Sequence, residues 1–262
     1  MKNKKDIQSL SDNRNIKIDR VGVKDIRYPI VVEDRKNGQQ HTIANLDIYV
    51  ELPHHHRGTH MSRFIEILNE FHEEELINNL EDFLQNIKKR LNSERAFVTI
   101  RFPYTIQKTS PISKINSILM YDCFFEASLD KEYHLTLGVK VPITTLCPCS
   151  KEISKYGAHN QRSLVTAKLR FNEFIWLEEI IEIIESKSSC EIYSLLKRPD
   201  EKYVTEKAYD KPMFVEDIVR EITVAFKRDK RIDQFTIESE NFESIHNHSA
   251  YACVSENWNT ER

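Results

Sequence analysis

The chain has 262 residues, a formal net charge of -3 at pH 7 and 30% charged residues. This length can bury a core in one large domain or in two smaller ones. The charge gives no basic field for nucleic acid, and no apolar run approaches the ~18–20 residues of a membrane span. Five cysteines without framework spacing and a polar start without an apolar leader predict a cytoplasmic protein with reduced thiols.

The first half of the chain is predicted to alternate between strands and helices. Residues 1–16 are polar and are predicted to be a flexible tail. Strict alternation of apolar and polar residues at 46–52 predicts a half-buried strand. From 61 to 91 apolar residues recur every three or four positions, which predicts one long amphipathic helix or two placed end to end. Two further strands are predicted near 96–106 and 118–129.

The second half repeats this order. Strands are predicted at 135–143, 165–171, 235–237 and 250–254, and helices at 176–186 and 213–228. Asp210 and Pro212 are favourable helix-start residues and are predicted to begin the last helix. Each half therefore follows the order strand, strand, helix, strand, strand, with a split helix in the second half. This predicts an α+β protein made of two related modules, each an antiparallel sheet with helices packed on one face.

Segment 147–162 contains the closest grouping of thiol and imidazole side chains in the sequence. On an extended backbone Cys147 and Cys149 point to the same side, and Gly157 can turn the chain so that His159 approaches the thiols. Sulfur and imidazole together favour a borderline-soft divalent metal. Because no second Cys-x-x-Cys or His-x-x-x-His motif lies nearby, the remaining ligands must come from far along the chain or be water.

Glycine is scarce. Only five occur, against about 18 expected at average usage, and none form a phosphate-binding loop. A phosphorylated ligand would therefore have to be held by side chains and helix ends.

Four segments carry a resemblance to a known family: RGTHMSRF at 57–64, LCPCSKEISKYGAHNQR at 146–162, KRPDEKYVTE at 197–206 and NFESIHNH at 241–248. They closely resemble the type IB GTP cyclohydrolases, the prokaryotic enzymes that open folate synthesis, and the resemblance covers nearly the whole chain. It implies the tunnelling fold, with two modules that we place at 17–130 and 131–262. It also implies a homotetramer with active sites between subunits, and the conversion of GTP and water to 7,8-dihydroneopterin triphosphate and formate.

The resemblance also implies a metal site. Removing C8 of guanine needs a nucleophile at neutral pH, and a metal supplies one by lowering the pKa of a bound water to about 7. Cys147 and His159 are the first ligand candidates, and Glu201 and His246 resemble the remaining metal-site residues of the family. Such a mixed donor set leaves Zn²⁺, Mn²⁺ and Fe²⁺ open.

Further residues are candidates for proton transfer. Glu216 resembles an acid/base residue of the family, although it could also be a helix-start carboxylate that complements the dipole. His248 shares a strand face with His246 by its spacing of two, and it is either an acid/base residue or a sheet-edge histidine. Cys149 is a second ligand, a reactive thiol or a small buried residue.

Substrate recognition is assigned to other side chains. Glu243 resembles the glutamate that anchors the purine in tunnelling-fold enzymes, on the strand before His246, and could accept guanine N1–H and the 2-amino group together. The cationic candidates for the triphosphate, each of which could instead be a structural ion-pair partner, are Arg57, His60, Arg63 and Arg162. The triplet at 54–56 is predicted to be a solvated loop, since adjacent histidines cannot all face one ion.

Two rival interpretations remain. A tunnelling-fold nitrile reductase uses a nucleophilic cysteine, NADPH and a purine-binding glutamate without a metal, but the additional His159, Glu201 and His246 favour the cyclohydrolase. Alternatively, the Cys/His segment could be a structural metal clip in a protein without enzymatic activity. Removal of the metal distinguishes a structural site, which costs folding, from a catalytic site, which costs turnover.

Overall fold

The computed structural model describes residues 11–71 and 76–257 and divides into two compact units. The first unit holds the described residues up to 102 together with 124–136, and the second holds 103–123 and the described residues from 137 onward. The module boundary between 130 and 131 stays a prediction.

The strands of the first unit form an antiparallel arrangement. β1 (Ile18–Asp34) pairs with β2 (Gly38–Leu52), which pairs with the first part of β3 (Ala96–Thr109). β3 and the next strand, β4 (Asn116–Leu129), each contribute residues to both units. The predicted strand at 46–52 is confirmed as the end of β2, where Leu46, Ile48 and Val50 are buried. The prediction that it is half-buried is wrong, because Asp47 and Glu51 are also buried and form ion pairs with Arg101 and Lys17. The two predicted strands that follow are also confirmed.

The described residues of the first unit also form two helices. α1 (Met61–Leu68) and α2 (Leu80–Leu91) are separate, so the two-helix interpretation is confirmed over the described residues, and the predicted positions 72–75 lie outside them. The apolar face that predicted the helices is buried at Phe64, Ile67, Leu68, Leu80, Phe83, Leu84 and Ile87. This face contacts β1 and β2. The two helices therefore help to close the core of this unit against β1 and β2.

The second unit contains a second antiparallel arrangement. Its strands are β5 (Tyr133–Leu146), whose residues 133–136 belong to the first unit, β6 (Asn160–Phe171), the two-residue β7 (Cys190–Glu191), β8 (Ile232–Asn241) and β9 (Ala250–Glu256). The pairing order is β5, β6, β8, β9, and β7 pairs with the end of β5. All four strands predicted in this half are confirmed.

Four helices lie in the second unit: α3 (Pro148–Ile153), α4 (Leu177–Ser186), α5 (Arg198–Asp210) and α6 (Val215–Arg228). The predictions of α4 and α6 are confirmed. The prediction that Asp210 and Pro212 begin the last helix is wrong, because Asp210 ends α5 and Phe214 is the N-cap of α6. The apolar face of α6 packs on β8 and β9, where the rings of Phe226 and Phe235 meet edge to face at 5.5 Å.

Helix α5 was not predicted because it buries little. Its buried residues are Asp200 and Ala208, so the apolar periodicity that reveals a packed helix is weak. Local signals form it instead: Pro199 lies in the first turn, and the Asp200 carboxylate accepts a hydrogen bond from the backbone N–H of Lys197 at 2.8 Å. This helix carries Glu201.

The observed class is α+β with antiparallel strands and packed helices, as predicted. All five cysteines are free thiols. Across the described ranges no helix is long and apolar enough to cross a membrane. Of the predicted N-terminal tail, residues 1–10 lie outside the described part, while Ser11 pairs with His56 and the Asp12 N–H bonds to the His55 carbonyl.

Candidate active site

The end of β5 runs directly into a helix. Cys147 is the N-cap of α3, with extended backbone angles of φ -69° and ψ 117°, and its Sγ accepts from the Ser150 N–H at 3.5 Å. Pro148 has its φ fixed near the helical value and stands in the first turn. Cys149 therefore lies on the helix and is exposed. The prediction that Cys147 and Cys149 share one side of an extended backbone is wrong, because Pro148 starts a helix rather than stiffening a strand.

The backbone brings His159 back to Cys147. Gly157 has φ +120°, a conformation that few other residues adopt, and it allows the chain to turn after α3. The Cys147 N–H then donates to the His159 carbonyl at 3.2 Å, while the His159 N–H donates to Ser150 Oγ at 3.2 Å. The expected proximity of these two residues is therefore confirmed at the level of the backbone.

The His159 ring is held through one nitrogen. Its Nδ1 lies 3.0 Å from Gln161 Oε1 and 3.3 Å from Ser244 Oγ. Contacts at Nδ1 orient the ring so that Nε2 is the nitrogen presented to a ligand. This is the arrangement in which histidine usually binds a metal.

Glu243, His246 and His248 lie in a loop of eight residues, 242–249, rather than on a strand. The pairing of β8 with β9 ends at Asn241 and Ala250. The prediction that Glu243 and both histidines lie on a strand is wrong because these residues form the connection between paired strands. The two imidazole rings nevertheless stack, with centroids 5.2 Å apart and planes at 18°. Both histidines are exposed and Glu243 is half-buried.

This loop, 242–249, reaches the beginning of β6. The Phe242 N–H donates to the Arg162 carbonyl at 3.0 Å, and Ser244 contacts the ring of His159. Loop 242–249 therefore lies beside the segment that holds Cys147 and His159.

Glu201 and Glu216 occupy the first turns of α5 and α6, and both are exposed. A carboxylate at a helix N-terminus complements the dipole, so the two interpretations of Glu216 stay open. Asp200, next to Glu201, is fully buried.

The Asp200 carboxylate fastens the β3–β4 hairpin to the start of α5. It accepts from the backbone N–H groups of Ile112 and Ser113 at 2.8 Å each, and from Ser113 Oγ at 2.5 Å. Burial by itself would raise the pKa of Asp200, but the hydrogen bonds from Ser113, Lys197 and Ile112 outweigh it and hold the pKa well below its ordinary value. The start of α5, and with it Glu201, is thus firmly placed.

The four predicted ligands are not arranged as a complete metal site. In the part of the chain that the structure describes, no group of three or more His, Cys, Asp or Glu side chains is close enough to hold a metal ion. The backbone brings Cys147 and His159 together, whereas Glu201 and His246 are not gathered with them. The donors still fit a divalent ion chemically, since they combine a thiol, two imidazoles and a carboxylate with one ring already oriented through Nδ1.

The predicted phosphate-binding residues are divided between the two units. Arg162 is exposed on β6, opposite Thr144, in the second unit. Arg57, His60 and Arg63 belong to the first unit, where His60 and Arg63 line a cavity of about 220 Å³. The phosphate role of all four stays a prediction.

The triplet 54–56 forms a turn in the first unit, with His54 and His55 exposed, which confirms the loop interpretation. The rings touch one another, with centroids 5.2 Å apart for the first pair and 4.5 Å for the second.

Sequence reasoning missed three buried polar residues behind His159. Gln161, Thr145 and Ser163 are 7%, 0% and 0% exposed and are hydrogen-bonded in a row. A signal was present: Gln161 and Ser163 occur on β6 in phase with the buried Val165 and Ala167. Polar residues on a buried face need a partner, and here the row leads to His159.

Comparisons with known proteins place these features in a family. A family model described as type I GTP cyclohydrolase folE2 matches residues 5–252. GTP cyclohydrolase FolE2 of Geotalea uraniireducens is 55% identical over 249 residues, covering 95% of this chain and 92% of that protein. The protein of the same name from Syntrophotalea carbinolica is 55% identical over 250 residues, covering 95% and 94%.

Solved structures show a likeness in fold alone. A highly active mutant of Bacillus sp. TB-90 urate oxidase superposes with a TM-score of 0.55 at 10% identity, over 91% of this chain and 99% of that one. Urate oxidase from the same source without chloride gives a TM-score of 0.53 at 9% identity, with the same coverage.

Proposed function

We infer that this chain, which belongs to the FolE2 family of type I GTP cyclohydrolases, performs its reaction at a metal site in the second unit. The chain is a GTP cyclohydrolase: it converts GTP and water to 7,8-dihydroneopterin triphosphate and formate, the first step of tetrahydrofolate biosynthesis. The metal dependence is the proposal. The observation that carries it is the backbone pairing of Cys147 with His159, whose ring is held through Nδ1.

Cys147, His159, Glu201 and His246 would hold one divalent ion. When bound, the ion would act as a Lewis acid that lowers the pKa of a water molecule, and so would supply the nucleophile for guanine C8 near neutral pH. Cys147 and His159 offer sulfur and nitrogen from one anchored segment, while Glu201 and His246 would complete the set from α5 and loop 242–249. Zn²⁺, Mn²⁺ and Fe²⁺ all suit these donors.

Proton transfers are assigned to side chains around this segment. Opening of the imidazole ring requires a proton at N7, and the later rearrangement of the ribose and closure of the new ring require further transfers. His248 stacks on His246, and an imidazole is the kind of side chain that general acid–base catalysis most often uses. Glu216 and Cys149 are the other candidates.

Substrate recognition is assigned to Glu243 and to four cationic side chains. The half-buried Glu243 carboxylate would accept guanine N1–H and the 2-amino group as a bidentate, charge-assisted pair. Arg57, His60, Arg63 and Arg162 stay the candidates for holding the triphosphate. The scarcity of glycine supports side-chain recognition of phosphate.

We also propose the tunnelling fold with two tandem modules, a homotetramer and a cytoplasmic location. The likeness to urate oxidase supports the fold, since urate oxidase belongs to the tunnelling-fold family. Five free thiols favour a reducing compartment. β9 ends the described strand order of the second unit with Tyr251 60% exposed, which suits pairing with another subunit. A fully active monomer in a sedimentation experiment would contradict the oligomer.

The test is turnover of GTP by metal-free protein to which each of the three metals is returned in turn. Formate and a fluorescent oxidised pterin should appear only with metal, while chelated protein keeps its circular dichroism spectrum. Turnover without metal would contradict the metal proposal and leave the family activity intact. Unfolding on chelation would instead identify a structural clip.

A further inference from the structure

A row of buried polar side chains leads from His159 into the sheet of the second unit. Gln161 Oε1 lies 3.0 Å from His159 Nδ1, and Gln161 Nε2 donates to Thr145 Oγ1 at 2.9 Å. Thr145 Oγ1 in turn lies 2.8 Å from Ser163 Oγ. Thr145 and Gln161 are register partners across β5 and β6. We call these three residues, Gln161, Thr145 and Ser163, the buried relay.

The composition of the relay is unusual for its position. Both strands continue with apolar residues on the same buried face, such as Val141 on β5 and Val165 on β6. A primary amide buried without partners costs about 1–3 kcal/mol, and an apolar side chain there would carry no such penalty. Each relay residue is satisfied by the next, so the row is internally consistent. The ring of His159 lies next to Gln161, at one end of the row.

The direction of the hydrogen bonds determines the histidine tautomer. An amide oxygen can only accept, so Oε1 facing the ring requires Nδ1 to carry the proton. Nε2 is then the nitrogen with a free lone pair, which is the form that binds a metal. If the amide were turned over, its NH₂ group would face Nδ1 and the proton would sit on Nε2, which blocks metal binding. In the structure Gln161 Nε2 donates to Thr145 Oγ1, and the Thr145 hydroxyl can then donate its own proton to Ser163 Oγ, which is the arrangement that goes with the productive orientation of the amide.

We propose that the buried relay is a positioning device that fixes His159 in its Nδ1–H tautomer before metal arrives. Gln161 acts on the ring directly, and Thr145 and Ser163 act through Gln161. The proposal rests on the proposed function, because it assigns a purpose to the relay through His159 as a metal ligand.

Ser244 is the rival partner of the same nitrogen. It lies on loop 242–249 and is exposed, and its Oγ is 3.3 Å from Nδ1. One proton on Nδ1 can serve one good acceptor, and Gln161 is both nearer and anchored in the sheet. Ser244 should therefore contribute less to the orientation of the ring.

The first experiment uses metal-free protein with ¹⁵N-labelled histidine, so that its result does not depend on activity. The ring nitrogen shifts of His159, assigned with a His159→Asn variant, should report Nδ1–H in the natural protein. Gln161→Met keeps the length of the side chain and removes the hydrogen bonds, and it should shift the population toward Nε2–H. A natural protein in the Nε2–H form would overturn the proposal even if the enzyme needs a metal.

The second experiment measures metal affinity. Gln161→Met should weaken Zn²⁺ binding by about 10–100-fold, the usual effect of losing a partner that orients a ligating histidine. Gln161→Glu, which can only accept at this position, should restore most of the affinity. Gln234→Met, the same change on β8, is the control and should leave affinity within about twofold.

The outcomes separate the two proposals. Equal losses in Gln161→Met and Ser244→Ala would overturn the relay and assign the orientation to loop 242–249. Unchanged Zn²⁺ affinity in Gln161→Met would likewise reject the relay while leaving a metal site in place. If no variant, including the natural protein, binds Zn²⁺, Mn²⁺ or Fe²⁺, the metal proposal fails, whereas the tautomer measurement still decides the relay.

Discussion

Segment 147–162 and loop 242–249 both carry predicted metal ligands, yet they are held very differently. The first lies between two strands and is fastened by a helix cap, by the backbone bond from Cys147 to His159 and by the buried relay. The second connects β8 to β9 without regular structure and exposes both of its histidines. The spacing of the ligands in the sequence does not reveal this contrast, because it predicts extended backbone both for 147–149 and for 243–248.

The contrast suggests a division of labour. Segment 147–162, which is fixed by backbone hydrogen bonds, should need less ordering when a metal binds, whereas the exposed loop 242–249 must be fixed when metal and GTP bind. Residues of segment 147–162 should therefore govern metal affinity and turnover, while Glu243 should govern GTP recognition. Variants of the two segments can break this division.

The largest effect is expected for Cys147→Ala. Loss of the anchored sulfur should lower kcat/KM for GTP by about 10³-fold or more, which corresponds to about 4 kcal/mol, while the protein stays folded. Cys253→Ala, which removes an exposed thiol on β9, is the matched control and should retain activity. Substantial turnover of GTP by metal-free Cys147→Ala protein would contradict the assignment of segment 147–162 to catalysis.

A smaller effect is expected in loop 242–249. Glu243→Gln should weaken GTP binding by about 1.5–3 kcal/mol, the scale of a hydrogen bond to a charged group, with unchanged metal content. His246→Ala should instead lower metal content or turnover more than GTP affinity. Calorimetric titration with GTP and elemental analysis of both variants test the pair. Unchanged GTP affinity in Glu243→Gln would leave that residue an ordinary loop carboxylate.

The sequence predicted most of the fold for a simple physical reason. Strands such as β6 and helices such as α4 and α6 bury one face, so their apolar residues recur with the period of the backbone. α5 was not predicted because it is stabilised by its N-terminal cap and by Pro199 in its first turn rather than by burial of an apolar face. The break between α1 and α2 could be offered only as one of two alternatives, since the apolar period runs through both.

The site was predicted in part. Residue type and spacing indicated Cys147 and His159 as ligands, and family resemblance added Glu201 and His246. The return of the chain at Gly157 could be foreseen from the freedom of glycine. The helix after Cys147 was missed because Cys-Pro-Cys was interpreted as extended, although Pro148 also suits a first helical turn. The phase of β6 could have indicated that Gln161 and Ser163 are buried. Their contact with Thr145 could not be foreseen without the strand register, since Thr145 and Gln161 are sixteen positions apart and meet only across β5 and β6.

Gly157→Ala tests whether the turn at Gly157 holds His159 near Cys147. The position has φ +120°, and no atom lies within 4 Å of the place that the alanine Cβ would take, so the cost is backbone strain alone, about 1–2 kcal/mol of stability. Metal affinity should fall as well, because the turn returns His159 to Cys147. Gly38→Ala, at φ +84° and also without a neighbour, is the control in the first unit. Urea unfolding measures the stability of both variants, and Zn²⁺ titration measures their metal affinity. Equal metal affinities in the two variants would contradict a role of the Gly157 turn in metal binding.

The smallest effect is expected for the stability of the folded protein at low pH. β7 braces the end of β5 just before Cys147, since Cys190 pairs with Thr144 and Glu191 with Ile143. Burial alone would raise the pKa of Glu191, but hydrogen bonds from Lys207 and from the Tyr193 hydroxyl, at 2.6 Å, lower it to about 2 from 4.5.

Because the folded protein holds the Glu191 carboxylate ionised, the resulting stability is complete above about pH 4.5 and is lost as the pH falls toward 2. The pair with Lys207, whose side chain is 36% exposed, should contribute only about 0.5–1 kcal/mol. Urea midpoints of the natural protein and Glu191→Gln should therefore differ at pH 7 and converge near pH 2. Hydrogen exchange should show the acid loss at the end of β5 rather than in loop 242–249, since only the anchored segment depends on this brace. A pH-independent difference between the two proteins would mean that Glu191 acts by packing and not by its charge.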